Sequence, residues 1–258
     1  MINFEKWHGN GNDFVIINSI EESIKLKKSF IKKIADRNMG VGFDQLIHIG
    51  LPTKDNHDFF VRFYNADGSE AGMCLNGIRC ASSYIWKKSL APMREINFRT
   101  KHINIKCFPK GDKQVSALLS KPKDMRNALL EKKLKKIIGN EIFLSSIGNN
   151  HLGIKMKSVD KVDLNMLYKK IEKLIKSLDI NLSIFTKKDK FVQIRTFENG
   201  VGETLSCGSA ALCVASHFIK DKAIKIKSFG GQLRFENHQD GILMSGPTNF
   251  IYKGNIDE

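Results

Sequence analysis

The sequence predicts an α+β protein of two similar lobes related by internal duplication, and three observations carry that expectation. The first is a repeated segment. Glu70-Ala-Gly-Met-Cys74-Leu-Asn-Gly-Ile-Arg-Cys80 returns as Glu203-Thr-Leu-Ser-Cys207-Gly-Ser-Ala-Ala-Leu-Cys213, with the spacing from Glu to Cys to Cys being four and then six in both copies. The match extends upstream, where Val61-Arg62-Phe-Tyr64-Asn65 aligns with Ile194-Arg195-Thr-Phe197-Glu198. The second observation is a matched turn, Gly11-Asn12 and Gly148-Asn149. Cys74 lies 62 residues after Asn12, and Cys207 lies 58 after Asn149. The third is the order of the elements, which runs twice.

In the first lobe, Ile2–Trp7 reads as a strand, His8-Gly-Asn-Gly-Asn12-Asp13 as a glycine-rich turn, and Phe14–Asn18 as a second strand. Residues 23–37 have helical periodicity, and Asn38-Met-Gly-Val-Gly-Phe43 ends that helix with two glycines. Gln45–Ile49 and Phe59–Tyr64 read as strands, and Asn65-Ala-Asp-Gly-Ser69 as a turn. A helix over Asn76–Lys88 and strands near 95–108 and 113–119 follow. In the second lobe a strand near 141–147, the turn Gly148–His151 and a strand near 152–157 precede an amphipathic helix over 163–178. A strand near 191–197 leads through Gly200–Gly202 into a helix over 208–222. Strands near 224–228, 231–236 and 242–246 close the lobe. The predicted lobes are 1–115 and 116–246, with a C-terminal segment, 247–258, returning to the first.

The 258 residues are 41% hydrophobic and 27% charged, which is ordinary globular composition. No stretch has the ~18 apolar residues of a membrane helix, and Met1-Ile-Asn-Phe-Glu-Lys-Trp7 lacks a signal-peptide layout. The expectation is a cytoplasmic chain with no membrane partner. The net charge of +15 raises the question of nucleic acid. The lysines, however, are densest in 25–33, 132–136 and 169–176, where they alternate with Ile and Leu as on solvated helix faces. No nucleic-acid motif accompanies them, so no nucleic-acid partner is expected. The five cysteines include no Cys-x-x-Cys pair, so neither a disulfide framework nor a zinc site is expected. Six residues of helix rotate the chain by about 600°, roughly 120° off one face. Cys80 and Cys213 therefore read as packing residues, and Cys107 as a buried strand residue.

Cys74 and Cys207 each precede an apolar-periodic helix. The free N–H groups and positive dipole end there favour an anion, so a lowered thiol pKa is expected. Small residues nearby, Gly77 and Gly208-Ser209-Ala210, let those N–H groups approach a carboxylate. Two opposed thiols suit stereoinversion without a cofactor: one removes a proton and the other returns one to the opposite face. Neutral donors at Asn12, Asn65, Asn149 and Asn181 suit a site that stabilises carbanion charge by hydrogen bonds.

Taken together, several segments resemble the diaminopimelate epimerase family. They are His8-Gly-Asn-Gly-Asn-Asp-Phe14, Gly40-Val-Gly-Phe-Asp-Gln45, Asn65-Ala-Asp-Gly-Ser-Glu70, Cys74-x-Asn-Gly-x-Arg-Cys80, Gly148-Asn-x-His151, Gly202-Glu-Thr-x-x-Cys207-Gly-Ser209 and Gly230-Gly-x-Leu233. The resemblance covers nearly the whole chain in order. It implies lobes built as a mixed sheet or barrel around a central helix, an active site in the interlobe cleft, and no pyridoxal phosphate or other cofactor. It implies Cys74 and Cys207 as acid and base, interconverting LL- and meso-diaminopimelate on the route to lysine. It places Asn12, Gln45, Asn65, Asn149, Asn181 and Glu198 around the substrate. Backbone groups of Leu75-Asn76 and Gly208-Ser209 would hold the reacting carboxylate, and His151 and Glu198 would support the thiols or the ammonium group. Tyr252 falls at a homodimer contact.

The sequence departs from the family pattern at specific places. Asn199 stands where an Arg would grip the distal carboxylate, and a neutral amide does not replace a bidentate cation. Asn150 replaces Pro, Leu75 and Ala210 replace Gly, and the stretch before Asn181 lacks the usual proline. Racemisation of a different amino acid is therefore the alternative within the class. A noncatalytic binder and a thiol-redox protein are the readings outside it.

Overall fold

The computed structural model describes residues 1–111, 113–220 and 222–257. Position 112 of the expected first lobe, position 221 of the expected 208–222 helix and position 258 of the expected C-terminal segment lie outside the described residues.

The chain divides into two compact units, Met1–Leu119 with Ser245–Glu258, and Ser120–Met244. The first division falls after 119 rather than 115 because a strand runs unbroken from Gln114 to Leu119. The second falls before Ser245 because its hydroxyl bonds Ser116 (2.8 Å) and Lys110 (3.1 Å) of the first unit.

The first unit contains β1 (Ile2–Gly9), β2 (Asn12–Asn18), α1 (Lys28–Ala35), β3 (Gln45–Gly50), β4 (Phe59–Asn65), β5 (Glu70–Ala71), α2 (Leu75–Lys87), β6 (Ile96–Arg99), β7 (Asn104–Pro109) and β8 (Gln114–Leu119). The second contains β9 (Lys123–Asp124), α3 (Ala128–Ile138), β10 (Ile142–Ser146), β11 (Asn150–Lys155), α4 (Leu164–Ile175), β12 (Ile180–Lys187), β13 (Val192–Glu198), β14 (Gly202–Thr204), α5 (Gly208–Ser216), β15 (Ile224–Ser228) and β16 (Gly231–His238). The strand β17 (Gly241–Pro247) begins in the second unit, and β18 (Asn249–Ile256) belongs to the first.

The duplication is visible in the strand ladders. In the first unit β1/β2 is antiparallel, β2/β3 parallel, β3/β4 and β4/β5 antiparallel, β4/β6 parallel and β6/β7 antiparallel. The same sequence of senses recurs in β10/β11, β11/β12, β12/β13, β13/β14, β13/β15 and β15/β16. At the outer side of β1 lies β18, paired antiparallel from Ile2↔Ile256 to His8↔Asn249. In the second unit β9 takes the corresponding place beside β10.

Each unit wraps its strands around one helix. Leu75–Cys80 of α2 and Gly208–Ala215 of α5 are buried throughout. A helix buried on every side belongs in a core. Around α2 lie β1, β2, β3, β7 and β8, and around α5 lie β11, β12, β13, β15 and β16. Gly77 permits the close approach of α2 to its sheet, since a Cβ there would stand 2.7 Å from the Phe63 ring. The outer helices are amphipathic. Phe30, Ile31 and Ile34 of α1 pack on Phe4, Val15 and Leu46, while Tyr168, Ile171 and Ile175 of α4 pack on Leu152 and Leu182. Each such side chain contributes roughly 1.5–3 kcal/mol by leaving water. None of the described helices is long and apolar enough to cross a membrane.

Three expectations are corrected. The helix expected over 23–37 spans only Lys28–Ala35. Ahead of it, half-buried Ile24 and Leu26 alternate with exposed Lys25 and Lys27 at the strand period, so that stretch packs extended. Asp36 then ends the helix by accepting from Asn38 and Met39 N–H, each at 2.8 Å. The helix expected over 208–222 stops at Ser216, where Ser216 Oγ donates to the Cys213 carbonyl. The strand Ile180–Lys187 was not anticipated. It is buried on both faces and so lacks the alternation that marks a half-buried strand.

Candidate active site

Sheet topology brings the polar candidates of each unit to one end of its sheet. In the first unit Asn12 opens β2, Gln45 opens the parallel strand β3, and Asn65 closes the antiparallel strand β4. Gln45 lies opposite Asn65 in register, and its Nε2 donates to Asn65 Oδ1 at 2.9 Å. Asn65 Nδ2 passes the chain on to Ser69 Oγ at 3.1 Å. Cys74 is the N-cap of α2, with extended backbone (φ −137°, ψ 116°), and its sulfur accepts from Gly77 N–H at 3.4 Å. That thiol donates to Asn12 Oδ1 at 3.4 Å, and Asn76 Nδ2 reaches the same oxygen at 3.5 Å. Leu75 and Asn76 are buried in the first turn.

A residue without an assigned role in the sequence reading organises this cluster. Arg79 is wholly buried on α2. It donates to Asn10 Oδ1 (3.0 Å), Asn76 Oδ1 (3.0 Å) and the Leu75 carbonyl (3.2 Å). The bond to Asn76 Oδ1 turns that amide's NH2 toward Asn12. Asn12 is fixed from its other end, since its Nδ2 donates to Asp44 Oδ2 at 2.8 Å. Asp44 in turn shares Arg37 with Asp13, and Lys6 bonds Asp13 and the Gly42 carbonyl. Burial acts to raise the Asp13 carboxyl, but hydrogen bonds and charge from Arg37 and Lys6 outweigh it and hold it well below the usual carboxylate range. The sequence carries its place, an arginine within the helical repeat, but not its burial or its partners. The other copy has Leu212 at that position.

Replacing Arg79 by Met roughly keeps the volume but removes the donor that Asn10 Oδ1 and Asn76 Oδ1 share. The expected cost is roughly 2–3 kcal/mol of stability, read as a lower urea midpoint at unchanged slope, together with lower turnover as Asn76 loses the Arg79 restraint.

The second unit repeats the layout. Asn149 ends the turn before β11, Asn181 lies at the start of the parallel strand β12, and Glu198 closes the antiparallel strand β13. His151 lies opposite Asn181 as Phe14 lies opposite Gln45, so Asn181 takes the place of Gln45 and Glu198 that of Asn65. Cys207 is the N-cap of α5, extended like Cys74 (φ −112°, ψ 112°). Its sulfur is 3.4 Å from Ser209 Oγ, which accepts from Asn149 Nδ2 at 3.2 Å. Asn149 Oδ1 is 3.1 Å from His151 Nε2. Glu198 accepts from Thr204 Oγ1 at 2.6 Å. Asn199 is engaged on three sides: its backbone N–H donates to Asn181 Oδ1 (2.9 Å), its Nδ2 to Asp179 Oδ1 (2.8 Å), and Tyr168 Oη donates to its Oδ1 (2.8 Å). Gly208 and Ser209 are buried in the first turn of α5.

Electrostatics correct one expectation. The helix start was expected to lower the Cys207 thiol, and Ser209 and the Ala210 N–H do act in that direction. Burial is the larger influence, with Glu198 adding to it, and the thiol lies well above its usual range. The residue is partly exposed, yet the sulfur itself is crowded enough for desolvation to dominate. Burial also lowers His151 to about 4, so its ring is neutral near pH 7. Cys80, Cys107 and Cys213 are buried with thiols pushed up to about 12, chiefly by burial, as packing residues should be. Tyr252 stands apart from these clusters on β18, exposed and edge-on to Phe4 at 6.0 Å. Among the described residues, no group of three or more His, Cys, Asp or Glu side chains could hold a metal ion.

Comparison with known proteins shows the fold first. The fold is that of a Bacillus anthracis phenazine biosynthesis protein of the PhzF family (TM-score 0.73, 14% identity, covering 100% of this chain and 99% of that one). It is equally that of a probable proline racemase from Agrobacterium radiobacter K84 (TM-score 0.69, 10% identity, covering 100% and 93%). These likenesses are of fold. The family follows from sequence: the profile described as Diaminopimelate epimerase matches residues 4–122 and 143–251. A diaminopimelate epimerase of Acinetobacter baumannii (strain AYE) is 31% identical over 274 residues, covering 100% of this chain and 98% of the relative. One from Psychrobacter sp. (strain PRwf-1) is 29% identical, covering 98% and 94%. The chain belongs to the diaminopimelate epimerase family and is an isomerase.

Proposed function

We propose that the protein epimerises the α-carbon of an amino acid by a two-base reaction without a cofactor, with LL-diaminopimelate to meso-diaminopimelate as the leading reaction. The observation that carries the proposal is the matched pair of thiols, each at the N-cap of the central helix of its unit. One thiolate takes the Cα proton and becomes a thiol. The resulting carbanion spreads its charge into the carboxylate, which the first-turn N–H groups of Leu75-Asn76 or Gly208-Ser209 receive. The other thiol then gives its proton to the opposite face and is left as the thiolate, so the next turnover runs in reverse unless protons exchange with water. Asn12, Gln45, Asn65, Asn149 and Asn181 orient the substrate. Glu198 accepts from its ammonium group or from Cys207.

Racemisation of another amino acid is the second reading, and Asn199 favours it. Its amide is bonded to a carboxylate and a phenol, and supplies no cation for a distal carboxylate. We also propose a cytoplasmic homodimer with Tyr252 in its interface, which light scattering of the wild type and a Tyr252→Ala variant tests.

The deciding experiment incubates dialysed, chelator-treated enzyme with a panel of L-, D- and diamino acids in D2O. The expected result is Cα deuterium in both stereoisomers of one substrate, resolved by chiral chromatography, with no added pyridoxal phosphate. Activity recovered only on adding pyridoxal phosphate contradicts the proposal, and no exchange with any substrate favours a binder.

A further inference from the structure

For Cys207 to serve as an acid–base group its thiolate must form, although burial and Glu198 both oppose ionisation. The hydrogen-bond wiring of the second unit supplies an answer. His151 is 1% exposed and sits in β11, pinned opposite Asn181. Its ring, neutral near pH 7, carries a single proton. Nδ1 is buried without a hydrogen-bond partner, while Nε2 faces Asn149 Oδ1 at 3.1 Å. A buried N–H left unpaired is rarer and costlier than an under-used acceptor, so the proton resides on Nε2 and is donated to Asn149 Oδ1. That fixes the amide the other way round from Asn12. Asn149 must present its NH2 to Ser209 Oγ, at 3.2 Å. A serine hydroxyl has one hydrogen to give. With Asn149 already donating to it, the geometry directs that hydrogen to the Cys207 sulfur, 3.4 Å away.

We infer that the Ser209 hydroxyl is a positioning residue for catalysis, held by the relay His151–Asn149–Ser209 as a donor to the Cys207 thiolate. The inference rests on Cys207 serving as an acid–base group and assigns Ser209 a side-chain role beyond its backbone N–H. His151 is the anchor of the relay, not a proton carrier. The first unit is wired oppositely: Asp44 claims the Asn12 amide NH2, and Cys74 meets a carbonyl oxygen. Among the described residues the charged group acting on Cys207 is Glu198 on β13, and Ser209 and the Ala210 N–H on α5 act against it.

The test is the pH dependence of Cys207 alkylation by iodoacetamide, followed on the intact protein by peptide mass spectrometry. Ser209→Ala is expected to move the apparent midpoint up by about one pH unit, lowering alkylation at neutral pH about tenfold. Ser209→Thr, which keeps the hydroxyl, should return it to the wild-type value. His151→Phe frees Asn149 to flip, and should produce the same upward shift as Ser209→Ala although it does not remove the hydroxyl. An unchanged midpoint in folded Ser209→Ala, or in His151→Phe, overturns the relay. These readouts need no turnover, so they stay separable from the two-base reading, which fails instead if Cys207→Ser epimerises normally.

Discussion

Serine in place of Cys74 or of Cys207 is expected to lower epimerisation at least about a thousandfold. General acid–base groups contribute roughly 10²–10⁴-fold each when their pKa suits the working pH, and a serine hydroxyl ionises far too weakly to serve. The substitution is conservative for the fold. Both cysteines are helix N-caps in extended backbone, and serine is among the preferred residues there. Loss of activity with an undiminished thermal midpoint would therefore report chemistry rather than unfolding. Each single variant keeps one thiol and one face. It should still exchange the Cα proton of one stereoisomer with D2O without delivering the other stereoisomer. Chiral chromatography and mass spectrometry on the same samples separate exchange from inversion. Turnover near the wild-type rate in either variant would sink the two-base assignment.

The legibility of this chain in its sequence follows from the kind of signal each feature leaves. The duplication was readable because Glu and Cys recur at one spacing in both copies, where a short strand hands over to a buried helix. The same repeat located both N-caps, and the matched turns located Asn12 and Asn149. Arg79, Asp44 and Ser209 as a hydroxyl donor were not readable in that way. Their roles depend on which amide end points where, and that is set by partners distant in sequence: Asn10 for Arg79, Asn12 for Asp44, Asn149 for Ser209. The expected low thiol pKa at Cys207 followed from the helix end alone. It missed burial and Glu198, a carboxylate brought alongside only by the β12–β13–β14 ladder. The strand Ile180–Lys187 was hidden by burial on both faces, and with it the equivalence of Asn181 and Gln45.

Asn199, one of the departures from the family pattern, gives the other large expected effect. An Arg at that place would hold a distal carboxylate by two charge-assisted hydrogen bonds, and losing such a contact costs roughly 1.5–3 kcal/mol. That corresponds to about ten- to a hundredfold in kcat/KM. Wild-type protein is therefore expected to use diaminopimelate less well than an enzyme with the cation, or to act appreciably on amino acids lacking a second carboxylate. The structure refines what restoring the cation requires. Asn199 Nδ2 already donates to Asp179 Oδ1 at 2.8 Å, so a guanidinium placed there meets that carboxylate first. Asn199→Arg alone should raise kcat/KM for diaminopimelate only in part, because Asp179 competes with the substrate for the same donors. Asn199→Arg combined with Asp179→Asn removes the competitor and should give the full ten- to hundredfold gain. Neither change should help a substrate without a distal carboxylate, since no partner for the new charge is present on it. Steady-state kinetics with diaminopimelate and with one monocarboxylic substrate measure the contrast. If wild type is already highly selective for diaminopimelate and the double variant does not improve on it, another residue holds the distal end.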